Sequence, residues 1–109
     1  MTRRRTWALL AAALALASCG GSGLDRASTE ACDTLSAWAA SGRPADQRDE
    51  LVARLGDLVR ESDPAVLTDP YRRFRDTVAS VELDDAAVAE AGGTFLRACG
   101  DRGWEPPEG

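Results

Sequence analysis

The chain has 109 residues, enough for one small domain, with 18 acids against 13 basic residues (every one of them arginine) and a net charge of −5. That balance argues against a face built for a nucleic-acid backbone or an anionic lipid surface, because phosphate-rich partners recruit excess cations. Histidine is absent, so neither a Ser-His-Asp nor a Cys-His site can be assembled within the chain.

The first segment reads as an address. Arg3, Arg4 and Arg5 form a positive start, an apolar run extends from Trp7 to Ala17, and small residues close it. This is the three-part pattern of a secretory signal. The run is shorter than the roughly 20 apolar residues of a permanent membrane span. At its end, Leu16-Ala17-Ser18-Cys19 resembles the lipobox of bacterial lipoproteins: an aliphatic residue, two small residues, then cysteine. The resemblance implies transfer of a diacylglyceryl group to the Cys19 thiol and cleavage between Ser18 and Cys19. The mature chain would then sit at the outer face of the cell membrane, held by its lipid. Each buried methylene contributes about 0.8 kcal/mol, so two or three acyl chains anchor a small domain firmly. Two competing readings are a plain secretory signal with Cys19 incidental and a buried N-terminal helix of a cytosolic protein. The arginines before Thr6-Trp7 also resemble a twin-arginine export signal. Removal of residues 1–18 leaves ten arginines against 18 acids, a net charge of −8.

Residues 19–25 read as the lipidated cysteine and a tether, with Gly20-Gly21-Ser22-Gly23 a flexible glycine-serine linker. Residues 26–100 read as a helical domain and 101–109 as a C-terminal tail. In the first helix Ala31, Leu35 and Trp38 recur at i, i+4 and i+7 beside Cys32 and Ala39, and Gly42 with Pro44 ends it. A second helix is predicted from about Pro44 to Ser62, with Leu51, Val52, Leu55, Leu58 and Val59 as its apolar stripe. Its early Asp46, Asp49 and Glu50 and later Arg54 and Arg60 suit the helix dipole. Asp63-Pro64 breaks it. Asp69 then reads as the cap of a third helix, with Pro70 in its first position and Tyr71, Phe74, Val78 and Val81 on one face. Asp84 caps a fourth, Leu83 and Val88 are placed for a hydrophobic staple, and Val88, Gly92, Phe95, Leu96 and Cys99 form its stripe. Gly100 reads as its stop. Gly92-Gly93 inside this helix costs about 1 kcal/mol per residue relative to alanine, so close packing or a bend is expected there. The expected fold is all-α: a small up-down bundle of four helices after a cleaved signal peptide, closed by one disulfide, with a three-helix arrangement as the alternative.

If Cys19 carries lipid, as the lipobox resemblance implies, Cys32 and Cys99 remain as a pair in an oxidising space. Bundle topology places the start of the first helix and the end of the last at one pole, which supports the same pairing. Closing a loop of that length constrains the unfolded chain by about 4 kcal/mol on the chain-entropy model. A redox dithiol or a metal pair is the competing use, but there is no Cys-x-x-Cys and no histidine. The short linker would hold the disulfide pole towards the membrane.

No catalytic residue, cofactor or metal ligand is assigned. The acids of the second helix are spaced as a solvated face, and Asp84-Asp85 suits a cap better than a calcium loop. Tyr71 could ligate haem iron but lies on an apolar stripe, as does Trp38. Trp104 is expected to fold back over the disulfide pole rather than sit at the membrane interface. Cys32 to Trp38 and Cys99-Gly100-Asp101-Arg102-Gly103-Trp104 make the mature domain resemble small disulfide-closed helical lipoproteins of actinobacteria, a likeness that carries no catalytic residues. The expected function is therefore a non-enzymatic, membrane-anchored envelope lipoprotein that binds a protein partner through an acidic helical face, with no nucleic-acid role. The alternative is a tethered carrier of a small apolar ligand such as lipid or haem.

Overall fold

A computed structural model describes residues 23–80 and 82–107; the lipobox Leu16-Ala17-Ser18-Cys19 and Val81 lie outside the described residues. Four helices follow in order: α1 (Arg26–Ala40), α2 (Arg48–Glu61), α3 (Thr68–Ala79) and α4 (Asp85–Asp101), with a 3-10 turn at Ala45–Gln47 and no strand among the described residues. Contacts run α1 to α2, α2 to α3, α3 to α4 and α4 back to α1, so the helices close a ring with short antiparallel connections. The fold is an up-down four-helix bundle.

The stripes meet at its centre. Ser28, Ala31, Cys32, Leu35 and Trp38 are buried on α1, and Leu51, Leu55, Leu58 and Val59 on α2. From α4 come Val88, Ala91, Gly92, Phe95 and Cys99. Phe74 is the one fully buried side chain of α3, with Tyr71 and Val78 half-buried beside it. Trp38 meets Phe74 edge-to-face across the ring at 6.0 Å between centroids. Each fully buried Leu or Phe contributes about 1.5–3 kcal/mol relative to exposure, and this shared interior is what holds four short helices together.

The helix ends follow local chemistry. The Asp25 carboxylate accepts from the Ser28 amide at 2.9 Å and caps α1. At the other end Gly42 (φ 95°) closes a Schellman turn, with Arg43 N–H donating to Trp38 O at 3.1 Å and Gly42 N–H to Ala39 O at 3.2 Å. α4 closes the same way, but one turn later than expected. Gly100 is helical, and Gly103 (φ 94°) makes the turn, with Gly103 N–H donating to Gly100 O at 3.0 Å and Trp104 N–H to Cys99 O at 3.1 Å.

Three further expectations are corrected. α2 starts at Arg48 rather than Pro44, because residues 45–47 form the separate 3-10 turn. α3 is capped at Leu67 and begins at Thr68, so Asp69 and Pro70 fall inside its first turn, where a missing amide leaves no helical bond unmade. Leu67 takes the cap because its side chain is fully buried and fixes where the chain turns. The staple does not form: Val88 is buried, yet Leu83 is 45% exposed. Asp84 does cap α4, accepting from Ala86 N–H at 2.9 Å. Gly92 faces α3, where an added Cβ would meet the Phe74 ring in ordinary contact at 3.6 Å, whereas at Gly93 it would meet nothing within 4 Å, so the expected close packing does not extend to Gly93.

Candidate functional site

The antiparallel ring gives the bundle two poles of different character. One gathers the start of α1, the end of α4 and the α2–α3 connection. Cys32 and Cys99 are joined there by a disulfide with 6.2 Å between Cα atoms, which ties α1 to α4. Trp104 folds back as expected, is buried, and donates from Nε1 to Asp33 Oδ1 at 2.9 Å. Gly23 N–H donates to Arg102 O at 2.8 Å, so the start of the described chain lies against the end of α4.

Asp25 serves two elements at this pole. Besides capping α1 it accepts from the Asp63 amide at 2.8 Å, and so fixes the α2–α3 connection. Burial acts to raise its pKa, but hydrogen bonds from Ser28 and from the Asp63 amide outweigh it and hold the carboxyl below its ordinary 3.8. Beneath it, Ser28 Oγ donates to Ser62 Oγ at 2.8 Å, and Ser62 Oγ donates on to Leu58 O at 2.9 Å. Both buried hydroxyls are therefore satisfied.

The opposite pole gathers the α1–α2 connection and the start of α4. Arg48 lies on the buried face of α2 with its side chain only 10% exposed, and its Nη2 donates to Asp85 Oδ1 at 2.6 Å. The bond reaches across the ring between two helices whose backbones do not approach each other. Arg48 Nε is buried and has no hydrogen-bond partner among the described residues. Beside it, Arg43 has φ 55°, a left-handed conformation uncommon outside glycine. Arg43, Arg48 and Asp85 border a polar recess of about 170 Å³. Arg43 and Val88 also wall a second hollow of about 150 Å³ between α1 and α4, lined by apolar side chains and by Gly92 and Gly93.

The other sequence-selected residues fall as follows. Trp38 is core, and its Nε1 donates to Pro44 O at 3.1 Å. Tyr71 packs half-buried between α3 and α2, its hydroxyl donating to Val52 O at 3.2 Å, which gives it a structural task. The acids Asp46, Asp49, Glu50, Asp57 and Glu61 are all exposed along and just before α2. Cys19 lies outside the described residues. Among the described residues no group of three or more His, Cys, Asp or Glu side chains is placed to hold a metal ion, and no helix is long and apolar enough to cross a membrane. The Arg43–Arg48–Asp85 grouping escaped sequence reasoning. Its signal was an arginine at the core register of α2, since Arg48, Leu51 and Leu55 stand at i, i+3 and i+7.

The class defined by these residues is a disulfide-closed, antiparallel four-helix bundle with one covalently tied pole and one arginine-bearing pole. Comparison with protein-family models, with curated proteins and with solved structures gives no match for this chain.

Proposed function

We propose that the chain is an envelope lipoprotein, tethered by lipid on Cys19 to the outer face of the cell membrane, whose helical domain is a non-enzymatic module that binds a protein partner. The observation that carries this reading is the Gly23–Arg102 hydrogen bond at 2.8 Å. Gly23 follows Cys19 by four residues, a span of at most about 14 Å, so a lipid on Cys19 would hold the disulfide pole close to the bilayer. The sides of the helices and the arginine-bearing pole then face outward. The Cys32–Cys99 disulfide supports an oxidising compartment, where such bonds persist. The exposed acids of α2 supply the face offered to a partner. The filled centre, with Phe74 and Phe95 fully buried, argues against haem between the helices.

Mass spectrometry of the mature N-terminus tests the anchor. The expected product begins at Cys19 with diacylglyceryl mass added, and Cys19→Ala should release the protein from the membrane. A Cys19→Ala chain that is still processed and membrane-bound would overturn the tether. In-cell cross-linking from a photoreactive residue at Glu50 or Asp57 tests the module. A discrete protein adduct is expected there and not from Arg97 on α4.

A further inference from the structure

The two hollows at the arginine-bearing pole share Arg43 and Val88 as walls, and together they have the form of an amphiphile site. The inner one is apolar: Leu35 and Trp38 of α1 face Val88 and Leu96 of α4, over a floor where Gly92 and Gly93 present no side chain. At about 150 Å³ it has room for about five chain atoms, taking roughly 30 Å³ for each water-sized group. The outer one is polar and carries two guanidinium groups. Arg43 has no ion pair or side-chain hydrogen bond among those found in the described residues, and the Nε of the nine-tenths-buried Arg48 has no partner there either. That Arg48 donor is sealed from solvent as well as unpaired, so it is the exposed Arg43 side chain, unpaired among the described residues, that is free to meet a ligand oxygen in this recess.

We infer that this cleft binds a small anionic amphiphile, a carboxylate with an aliphatic tail of about five carbons, with the tail between α1 and α4 and the head group on Arg43 and Arg48. The charge pattern selects this occupant: an apolar hollow alone would take a neutral hydrocarbon, whereas this one shares the Arg43 wall with the polar recess. Charge-assisted hydrogen bonds from arginine to a carboxylate are the strong kind. Asp85 already accepts from Arg48 at the mouth, so the ligand head group competes with it. That competition gives the site an unusual sign: removing an acid tightens it. The inference does not rest on the lipid anchor, and its failure would leave the tethered-module reading where it stands.

The test uses the full chain labelled with 5-fluorotryptophan, observed by fluorine NMR, with hexanoate as the probe. Trp38 lines the hollow and Trp104 lies at the other pole, so hexanoate should shift the Trp38 resonance saturably and leave that of Trp104 in place. Hexanamide, which lacks the charge, and acetate, which lacks the tail, should each bind about tenfold more weakly or worse. Gly93→Val places a side chain in open space above the floor and should abolish the shift while the disulfide and the thermal midpoint are retained. Arg43→Gln should weaken hexanoate about tenfold, and Asp85→Asn should tighten it. No saturable Trp38 shift with hexanoate overturns the inference. So does a shift that Gly93→Val leaves unchanged, or one that acetate or hexanamide reproduces at equal concentration.

Discussion

Trp104 Nε1 and Asp33 Oδ1 lie 2.9 Å apart, 71 residues distant in the chain, and this bond seals the tail onto the first helix beside the disulfide. The indole is buried against the core, so it contributes both apolar area and a charge-assisted hydrogen bond. Trp104→Ala should cost about 3 kcal/mol in urea unfolding and Asp33→Ala about 1 kcal/mol. The double variant should be less destabilised than the sum, by about 1 kcal/mol, since both singles remove one shared bond. Strict additivity would mean that the bond contributes nothing.

The disulfide closes a loop with a sequence separation of 67. On the chain-entropy model its loss costs about 4 kcal/mol, large against the stability of a domain this small. Cys32→Ala, Cys99→Ala and the double variant should therefore unfold at nearly the same, much lower temperature by circular dichroism. Reductant should lower the midpoint of the parent chain and leave that of the variants unmoved.

Two helical glycines should respond oppositely to alanine. At Gly93 an added Cβ meets nothing within 4 Å, so Gly93→Ala should stabilise by about 1 kcal/mol through helix propensity. At Gly56 the same Cβ would stand 2.5 Å from Tyr71 Oη and 3.1 Å from Tyr71 Cζ. The Tyr71 hydroxyl would have to leave Val52 O, so Gly56→Ala should lower the thermal midpoint despite its better propensity. Equal gains at both sites would show that α2 and α3 do not approach as closely as described.

Asp25 predicts a pH dependence. Its folded-state pKa lies below that of the unfolded chain, so the stability it contributes is complete above about pH 4 and is lost as the pH falls through the folded-state value. Denaturant midpoints of the parent chain should decline on acidification in that window. Asp25→Asn should start lower at neutral pH and show a shallower decline.

Much of the bundle was legible because the apolar periodicities are clean. The stripes through Leu35 and Trp38, through Leu51 and Leu55, and through Val88 and Phe95 all turned inward. The Cys32–Cys99 pairing was what the lipobox resemblance implied once Cys19 was set aside, and the topology of those stripes supported it. The errors fall where a local signal competed with packing. Leu83 stands at staple spacing, but it is exposed and lies outside the core that Val88 joins. Gly100 matched a stop signal, yet Gly103 was the residue whose neighbour, Trp104, had an interior to enter, and that decided where the helix closed. The candidate cleft was illegible for a different reason. Arg43, Arg48 and Asp85 are brought together by a left-handed residue and a bond across the ring, neither of which has a periodicity to read.

The sulfur bridge also decides how the molecule carries tension. A pull applied between the two ends of the described chain enters near Gly23, reaches Cys32, and crosses directly to Cys99. Residues 33–98 lie on a closed covalent detour and bear none of that load. Stretched between those ends, the described chain could lengthen only by residues 23–31 and 100–107, and α2 and α3, wholly within the bridge, would stay out of the line of pull.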